Sequence, residues 1–556
     1  MKKKVGILLG STKCQGNLFK VVDELANDSN IELFYLLNVV DDKQTQGWKK
    51  LIKKLNQNGF IKTFERIIFK LIVLLEYSVL SLFIKRLRLF NNSYCLDLIE
   101  SKIVIPLIPI FSQSGLYVRY DKSSIKKLQN LKLDLIVRGN APGIFRGKIL
   151  QVAKDGIISF HHGDNRWNRG GPPGFWEVFK KIDSTGFIIQ RLTEELDGGL
   201  VIFRGNLPTR RTYSENIIDL YNESYPFLVK VVKDYCDKGE LSAGEAVIPF
   251  DRQILKSPNL LNSFSYLFRT LYCLSYDFLN KYVFGKKMKW SVAFQKNSWE
   301  KITLRKGTII KNPKNHFYAD PFVVKRDGKT ICFVEDYDYS NKKACISAIE
   351  LFNDGSYSLL GKVIEEDYHM SFPYLIEHNN NLFMIPETSA AKSIRLYKCI
   401  SFPMEWKFEK ELMSDVDAVD TMLFNFSNRW WLLLNEATNG NRDHAAKLSA
   451  YSSSEPFSDD WVQHKKNPII FDSEIGRNAG LLVSSGSSIF RVRQKQAFNL
   501  YGSGFSIAKI TELNENCYVE NEICKVEPSF FDGIKGCHHM HSNGEYTVYD
   551  IVRLGK

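Results

Sequence analysis

The stretch Ser159–Gly199 reads SFHHGDNRWNRGGPPGFWEVFKKIDSTGFIIQRLTEELDGG and carries the strongest functional signal in the chain. His161 opens a loop rich in glycine, proline and arginine, and Asp197 closes the segment within Leu-Asp-Gly-Gly. The run Gly156–Phe160 predicts a strand that ends at His161. In an open α/β sheet the ligand crevice lies outside the carboxyl ends of the strands. We therefore expect a site here, and the arrangement suggests acyl transfer.

The sequence before this stretch alternates between strand and helix patterns. Val5–Leu9 is apolar and ends at Gly10, Leu18–Leu25 has helical spacing, and Glu32–Val40 and Leu131–Val137 are further apolar runs. Such alternation predicts an α/β sheet.

The segment Trp48–Leu89 interrupts this pattern and predicts a helical insertion at about residues 48–90. Within it, Arg66–Lys85 is apolar apart from Lys70, Glu76 and its ends. Two charges near the middle argue against a membrane-spanning helix, which needs about 20 clean apolar residues. A packed amphipathic helix is the main interpretation, and a helix lying on a membrane surface is the alternative. Basic residues that favour the alternative follow the run: Lys85, Arg86 and Arg88.

Composition bounds the class of protein. A chain of 556 residues is too long for one hydrophobic core, so two or three domains are expected. The net charge of +13 reflects either a lysine-rich proteome or attraction to anions, such as nucleotide phosphates or an acidic membrane surface. The sequence shows no aromatic-plus-basic recognition motif, so we do not expect a nucleic acid partner. The ten cysteines form no C-x-x-C pair and fit a reducing cytoplasm.

From Trp290 onward, short aromatic and β-branched runs alternate with turn residues. Regular short strands over about 260 residues predict a β-propeller or a large sandwich. The clearest runs are Pro321–Val324, Thr330–Val334, Tyr374–Ile376, Leu382–Ile385, Trp430–Leu434, Leu481–Val483 and Tyr546–Val548. The preceding segment Asn259–Phe284 is rich in aromatic residues without strand alternation and predicts a helical connector.

The first half resembles the formyltransferase catalytic domain of methionyl-tRNA and sugar N-formyltransferases. That family carries Asn-x-His, a loop with Arg-Gly and a later proline, and a strand ending in Asp-x-Gly. Here Arg169, Pro173 and Asp197 follow His161 by 8, 12 and 36 residues, which matches the family's arrangement. The resemblance covers about 134–205 well and the first 25 residues loosely. Ser159 stands in place of the family's asparagine.

This resemblance implies a Rossmann-like domain that transfers a formyl group from N10-formyltetrahydrofolate to an amine. His161 and Asp197 would be catalytic, together with Ser159. The turn that would hold the folate contributes Arg138, Gly139, Asn140 and Gly143. Residues expected to contact the substrate are His162, Asp164, Asn165 and Arg169. A metal site built on His161, His162 and Asp164 is disfavoured, because adjacent histidines rarely chelate one ion, and we predict no metal.

Four carboxylates in the second half lie at predicted strand ends and are candidates for glycan contacts. Carboxylates at strand ends of a β-rich domain could converge near a central axis, where they would perform glycoside hydrolysis or hydrogen-bond sugar hydroxyls. They are Asp320, Glu335, Glu387 and Asp420.

This half resembles the five-bladed propellers of the family-43-like glycosidase clan. It more closely resembles the N-terminal propeller of plant glucosamine inositolphosphorylceramide transferases. The resemblance spans about 290–550 and depends on HFYADPFVV, FVEDYDY, HMSFPYLIE, MIPETS, FPMEW, DTMLF, RWWLLL and RNAG. Glycosidases of the clan repeat Asp-Pro in a later blade, whereas this chain has Ser371–Tyr374 there, which argues against hydrolysis.

The sequence thus predicts an α/β Rossmann-like formyltransferase domain over 1–255, a helical connector over 256–289 and an all-β five-bladed propeller over 290–556. The predicted function is formylation of a nucleotide- or lipid-linked amino sugar in surface-polysaccharide biosynthesis, with a glycan bound by the propeller. The expected location is the cytoplasm, with peripheral contact to the inner face of the membrane. Two alternatives stay open: a glycan-processing propeller protein whose first domain is degenerate, and a carbohydrate-binding scaffold without catalysis. The acceptor and the oligomeric state are not predicted.

Overall fold

The computed structural model describes residues 2–39, 59–90, 93–96, 103–246, 249–437, 444–484 and 486–555. Residues 48–58 of the predicted helical insertion lie outside this set. The chain forms two compact units, Met1–Cys273 and Leu274–Lys556. The α-helices are α1 (Gly16–Ala26), α2 (Phe60–Phe83), α3 (Lys85–Phe90), α4 (Lys122–Leu131), α5 (Phe175–Lys180), α6 (Tyr213–Lys238) and α7 (Leu260–Phe278). Among these described helices, none combines the length and the apolar composition needed to cross a bilayer.

The first unit is built on a seven-stranded sheet. Five adjacent strands of this sheet run parallel, and the other two lie at one edge. The order of the strands across the sheet is β12-β11-β10-β8-β1-β3-β5, and β11 and β12 form an antiparallel hairpin at one edge. The bounds are β1 (Lys3–Leu9), β3 (Ile31–Asn38), β5 (Ile103–Leu107), β8 (Leu135–Arg138), β10 (Ile157–His161), β11 (Ser184–Arg191) and β12 (Leu200–Pro208). Parallel strands covered on both faces are apolar throughout, and Leu135, Ile136 and Ile157 are fully buried. The α/β pattern predicted from the sequence is therefore present.

Two smaller sheets complete the first unit. One pairs β2 with β4, and the other has the order β6-β7-β9. Their bounds are β2 (Lys13–Gln15), β4 (Ser93–Cys95), β6 (Pro109–Phe111), β7 (Tyr117–Tyr120) and β9 (Ile144–Phe145).

Helix α2 differs from the packed amphipathic helix that was the main interpretation of its sequence. Of its 24 residues, Thr63, Phe69 and Ile72 are buried, while most of its large apolar side chains face outward. Glu76, whose charge argued against a spanning helix, points inward and accepts a hydrogen bond from the backbone N–H of Ser214 at 2.7 Å. The apolar stripe of the helix is thus on the side opposite its contacts with the protein.

The second unit consists of five antiparallel sheets. We call the five sheets blades 1 to 5. Blade 1 contains β15 (His316–Arg326), β16 (Lys329–Asp338), β17 (Lys343–Leu351) and β18 (Tyr357–Ile364), and blade 2 contains β19 (Ser371–His378), β20 (Asn381–Glu387), β21 (Ser393–Ser401) and β22 (Glu405–Ser414). Blade 3 contains β23 (Ala418–Phe426), β24 (Arg429–Glu436), β25 (Lys447–Ser453), β26 (Val462–Gln463) and β27 (Ile470–Phe471); blade 4 contains β28 (Arg477–Val483), β29 (Ile489–Ala497), β30 (Leu500–Leu513) and β31 (Tyr518–Val526); and blade 5 contains β13 (Lys287–Gln295), β14 (Thr308–Ile309), β32 (Ile534–Gly536), β33 (Met540–Ser542) and β34 (Thr547–Gly555).

The inner strands of the five sheets form a closed ring. Strand β15 packs on β19, β19 on β23, β23 on β28, β28 on β33, and β33 returns to β15. Blade 5 joins the two ends of the unit, because β13 pairs with β34 from Lys287–Gly555 to Gln295–Thr547. This is the architecture of a five-bladed β-propeller. The predicted strand runs lie in these blades, although Tyr546 immediately precedes β34.

Candidate functional site

A repeated bulge places acidic side chains at one end of the propeller ring. The pairing of the two inner strands shifts between Ala319 and Phe322 in blade 1 and between Val419 and Met422 in blade 3. Asp320 and Asp420 lie in these bulges with φ of 47° and 51°. Aspartate tolerates this left-handed backbone better than most residues, because its short side chain bonds locally.

The second strands of blades 1 and 2 contribute two more carboxylates, each paired with the part of the first strand that adjoins the bulge. Glu335 stands opposite Ala319, and Glu387 stands opposite Ser371. Glu387 accepts hydrogen bonds from the hydroxyls of Ser371 at 2.8 Å and Ser389 at 2.9 Å. The bulge and the pairing register therefore direct all four predicted acids toward the ring centre.

Electrostatic coupling shows that these four carboxylates form one cluster. Burial raises the pKa of Glu335 well above its ordinary value, and the charges of Asp320 and Glu387 add to this. Burial also raises the pKa of Asp420 to about 7, with Glu387 and Asp320 contributing. Two of the four carboxyl groups at the ring centre, Glu335 and Asp420, therefore hold a proton near neutral pH.

Asp320 is the opposite case, because a histidine from blade 5 stabilises its charge. His538 Nε2 lies 3.1 Å from Asp320 Oδ1, and His538 Nδ1 lies 2.7 Å from Asp550 Oδ2. Burial opposes ionisation of Asp320, but the hydrogen bond and charge of His538 outweigh it and lower the pKa to about 2. Burial likewise disfavours the imidazolium, yet Asp550 and Asp320 raise the pKa of His538 to about 10. The structure therefore favours an ionised Asp320 beside a cationic His538.

A second cation and two aromatic rings complete the ring centre. Arg477 Nε lies 2.6 Å from Asp420 Oδ2, and its guanidinium lies 5.1 Å from the ring centre of Tyr501. The rings of Trp290 and Tyr501 lie 4.1 and 5.3 Å from that of His538. Tyr501 keeps 41% of its surface exposed, whereas Asp320 and Asp420 beside it are buried. Aromatic walls with a few convergent polar groups are typical of small-molecule sites.

Blade 2 brings an aromatic side chain where its neighbours bring an acid. Phe372 occupies the bulge position with φ of 44° and is 1% exposed. Its ring packs edge-on against Phe322 at 4.9 Å and His539 at 5.3 Å. A left-handed phenylalanine is uncommon and marks a functional or strained position. The position at which the sequence argued against hydrolysis therefore holds no carboxylate.

Sequence reasoning missed His538, Asp550, Arg477 and Tyr501 as members of this site. The available signal was the run Cys537–His541, which holds three histidines in five positions. Ligand atoms of Asp320, His538 and Asp550 lie within 4.8 Å of one another, close enough to hold a metal ion. A histidine must be neutral to ligate a metal, so the raised pKa of His538 favours the ion-paired state of this trio.

In the first unit, the structure brings His161 and Asp197 together. His161 ends β10, and Asp197 lies in the turn between β11 and β12 with φ of 48°. His161 Nδ1 is 3.3 Å from Asp197 Oδ2, and His161 Nε2 is 2.7 Å from the carbonyl oxygen of Asn168. The Asn168 amide donates to Glu177 at 3.1 Å, and burial raises the pKa of Glu177 to about 7. Both ring nitrogens of His161 are thus engaged within the protein, Nδ1 towards Asp197 and Nε2 with a backbone carbonyl.

The residues predicted to hold folate mainly hold their own loop. The Arg138 guanidinium donates to the carbonyls of Ala141 at 3.1 Å and Gly143 at 2.8 Å. The Asn140 amide bridges to the first βα turn, where it accepts from the N–H of Gly10 at 2.8 Å. A Cβ on Gly143, which has φ of 87°, would lie 2.3 Å from Val118. Gly139 packs as tightly, because its Cβ would lie 2.9 Å from Leu9. Folate binding stays a prediction.

Among the predicted substrate contacts, Asp164, Asn165 and Arg169 lie near the His161 pair. Arg204 joins the first two, at 2.6 Å from Asp164 Oδ1 and 3.0 Å from Asn165 Oδ1. Arg169 donates to the carbonyl of Asn165 at 3.1 Å, and Asn165 donates to the carbonyl of Asp197 at 3.4 Å. Burial raises the pKa of Asp164, but the hydrogen bonds and charges of Arg166 and Arg204 keep it below its ordinary value.

His162 and Ser159 take structural positions instead. The His162 ring contacts those of Phe160, Tyr221 and Tyr225 and bonds to the Ser224 hydroxyl at 3.1 Å. Burial lowers its pKa to about 3, so it is neutral. The buried Ser159 hydroxyl donates to the adjacent carbonyl of residue 160 at 3.0 Å. The predicted catalytic role of Ser159 therefore competes with this local bond.

Comparison with known proteins places the similarity in the second unit. Residues 301–541 match the family model described as glucosamine inositolphosphorylceramide transferase 1, N-terminal. Proteins named glucosamine inositolphosphorylceramide transferase 1 from Oryza sativa subsp. japonica and Arabidopsis thaliana are 31% and 30% identical, over 37% and 38% of this chain. The chain covers only 28% and 27% of the length of these relatives. The predicted resemblance of the propeller is thus confirmed.

Solved structures of glycoside hydrolases are also similar to this chain. A thermostable family-43 glycoside hydrolase has a TM-score of 0.31 at 10% identity and covers 38% of this chain and 76% of its own. The catalytic domain of the Coprinopsis cinerea GH62 α-L-arabinofuranosidase has a TM-score of 0.33 at 10% identity, with 48% and 97% covered. The five-bladed architecture follows from the strand pairing and from the closed ring of inner strands.

The prediction of formyl transfer is wrong. The family model and the relatives reported above are named glucosamine inositolphosphorylceramide transferases, not formyltransferases. They favour the alternative of a glycan-processing or glycan-binding propeller protein. The misleading signal was the spacing from His161 to Asp197, since a histidine–carboxylate pair at a sheet edge does not specify a reaction.

Proposed function

We propose that this protein binds and processes a glycan at the centre of the propeller ring. The observation that carries the proposal is the division of charge among neighbouring carboxylates. The pKa of Asp320 is lowered to about 2, whereas burial raises that of Asp420 to about 7 and that of Glu335 well above its ordinary range. Carboxyls whose pKa values are pushed apart supply the base and the acid of a reaction.

The chemistry that fits this division is exchange at a glycosidic bond. Ionised Asp320 would accept the proton of an attacking hydroxyl as its oxygen bonds to the sugar carbon. Protonated Glu335 would donate its proton to the leaving oxygen as the old bond breaks. The attacking hydroxyl belongs to a sugar acceptor in transfer and to water in hydrolysis. Trp290 and Tyr501 would provide apolar faces for the sugar ring.

The proposed substrate class is the glycan headgroup of a glycolipid. Support comes from the family model that matches residues 301–541 and from the relatives, both of which are named glucosamine inositolphosphorylceramide transferase. We further infer that the first unit is a Rossmann-like domain, because its parallel strands follow the order β10-β8-β1-β3-β5. The pair His161–Asp197 stays a candidate site of that unit, with no reaction assigned.

A second candidate is glycan binding without turnover. Asp320 and Asp420 each lie within 3.1 Å of a cationic partner, and the bulge of blade 2 holds Phe372 instead of an acid. Carboxylates already paired in this way can hydrogen-bond sugar hydroxyls through their remaining oxygen lone pairs.

Binding and turnover measured together test the proposal. The full chain is screened against immobilised glycans and glycolipid headgroups, and turnover is followed with arylglycosides and nucleotide-sugar donors. Asp320→Asn should abolish both binding and turnover. Asp327→Asn, in an exposed turn of the same blade, is the matched control and should change neither. Binding and turnover unchanged in Asp320→Asn would refute the proposal, and binding without turnover in the unmodified protein would favour the second candidate.

A further inference from the structure

Helix α2 exposes an apolar surface that the described residues of its own unit leave uncovered. Large apolar side chains recur along its outer side at helical spacing, and Leu71, Leu75 and Leu82 are 54%, 60% and 66% exposed. We call this the α2 surface; its large apolar residues are Phe60, Ile61, Phe64, Ile67, Leu71, Leu74, Leu75, Val79, Leu82 and Phe83. Monomeric soluble proteins rarely expose so many contiguous apolar side chains unless the patch meets a partner or a membrane.

The inner side of α2 is held firmly, so the outward orientation is a property of the fold. Glu76 accepts hydrogen bonds from the Ser214 backbone and from the Tyr266 hydroxyl of α7. Tyr266 in turn accepts from the N–H of Tyr213 at 2.8 Å and is 3% exposed. Phe69 packs edge-on against Phe175 at 4.9 Å. Turning α2 to bury its apolar stripe would break this polar anchor.

The helix that Tyr266 joins to α2 has the same character. Helix α7 buries Ser263 and Tyr266, and its outer side is apolar and aromatic. Exposed members within the first unit are Leu261, Phe264, Phe268, Leu271 and Tyr272.

A row of basic side chains runs along one edge of the α2 surface. Lys62, Arg66 and Lys70 follow one another at four-residue spacing, are exposed, and form no ion pair within the part of the chain that the structure describes. Arg66 and Lys70 also line a cavity of about 510 Å³ with Phe69, Val73 and other apolar residues. An apolar stripe with cations at its edge complements a bilayer with anionic headgroups, because the apolar face enters the headgroup–acyl boundary while the cations meet phosphates.

We propose that the α2 surface docks this protein on an anionic lipid bilayer, with α2 lying in the plane of the interface. A second copy that used the same α2 surface would bring a further row of cations, whereas an anionic bilayer supplies phosphates. A spanning orientation would bury Lys62, Arg66, Lys70 and Glu76 in hydrocarbon, at a cost that an interfacial helix avoids. The proposal is independent of the reaction at the propeller.

Vesicle co-sedimentation of the full chain tests this surface. Vesicles of phosphatidylcholine alone are compared with vesicles that contain 30% phosphatidylglycerol. We expect binding to the anionic vesicles that weakens with added salt. Arg66→Gln with Lys70→Gln should weaken it about 30-fold, since each basic residue near such a surface contributes about fivefold. Lys122→Gln with Lys126→Gln, an exposed pair at the same spacing on α4, is the matched control for net charge.

The apolar contribution has its own variant and control. Leu71→Glu with Leu75→Glu should reduce partitioning by roughly 100-fold or more. Ile400→Glu with Ile523→Glu, at 58% and 54% exposure in the propeller, should leave it unchanged. Sedimentation velocity and circular dichroism establish the assembly state and folding of each variant. Equal losses in the variants and their controls, no binding to anionic vesicles, or a dimer that only the Leu71 and Leu75 changes dissociate would each overturn the proposal.

Discussion

Replacing Asp550 by asparagine should make the stability of the propeller less dependent on pH. Asp550 is fully buried, lies 2.7 Å from His538 Nδ1, and accepts the backbone N–H groups of His538 and His539 at 2.9 and 3.1 Å. Asparagine keeps an oxygen for the backbone bonds, while its amide nitrogen replaces the charged oxygen that faces His538 Nδ1. The substitution therefore removes the carboxylate that supports the imidazolium.

The magnitude follows from the pKa of His538. Its folded value of about 10 lies above the ordinary 6.5, so its stabilisation is full below pH 6.5 and is lost as pH rises through 10. At 1.36 kcal/mol for each pH unit, the shift amounts to about 5 kcal/mol. Asp550 and Asp320 lie 2.7 and 3.1 Å from the ring nitrogens and together produce the shift against the opposing effect of burial. Asp550→Asn should then cost about 2 to 3 kcal/mol at pH 7, and this cost should vanish toward pH 10.

Urea denaturation monitored by tryptophan fluorescence measures this at half-unit steps from pH 6 to 9.5. The midpoints of the unmodified protein and Asp550→Asn should differ most at pH 6 to 7 and converge above pH 8. Asp327→Asn, exposed in the same unit, should track the unmodified protein throughout. Parallel curves, with a difference independent of pH, would show that His538 is not held as a cation in the folded state and would refute the reasoning.

The remaining predictions concern single side chains in the two units. Glu335→Gln imitates the protonated carboxyl that burial favours; thermal unfolding should be unchanged within about 2 °C while turnover falls 100-fold or more, and turnover that survives would exclude Glu335 as the acid. Arg491→Met should cost about 1.5 to 3 kcal/mol in urea denaturation, because buried Glu520 loses the guanidinium 2.8 Å away and keeps, among the described residues, only Arg493, at 3.1 Å, as its cationic partner; a loss below 1 kcal/mol would contradict this. Tyr266→Phe should cost about 1 to 3 kcal/mol and increase hydrogen exchange in α2, because Glu76 loses a buried donor; unchanged exchange would show that the anchor is not needed.

Much of the architecture follows from residue patterning. Short aromatic and β-branched runs separated by turn residues, such as Thr330–Val334 and Trp430–Leu434, predicted the strands of the blades. The runs are largely apolar because each strand buries both faces between neighbouring sheets. The strand that delivers His161 also follows from its apolar run, Gly156–Phe160. Local pattern is sufficient in these cases because strand formation depends on side chains within a few residues.

The ring centre was only half predictable, for a reason of distance along the chain. The sequence predicted Asp320 and Asp420 at strand ends, whereas the structure places both in bulges within longer strands. His538 and Asp550 reach Asp320 only because blade 5 closes the ring. No local pattern pairs residues that are more than 200 positions apart. Helix α2 was misjudged for a different reason: periodicity identifies an apolar face without showing whether that face points inward, and the buried anchor at Glu76 decides this.

The pairing of β13 with β34 has a consequence for how the protein is made. The ribosome completes the first unit before it synthesises the second, which adds about 280 residues. Synthesis of the second unit takes on the order of 14 to 56 s at 5 to 20 residues per second. During that time β13 has no β34 to pair with. The other four blades can form while the ring is still open. Nascent chains arrested before β34 should therefore bind a holdase chaperone, and release should coincide with arrival of the final strand.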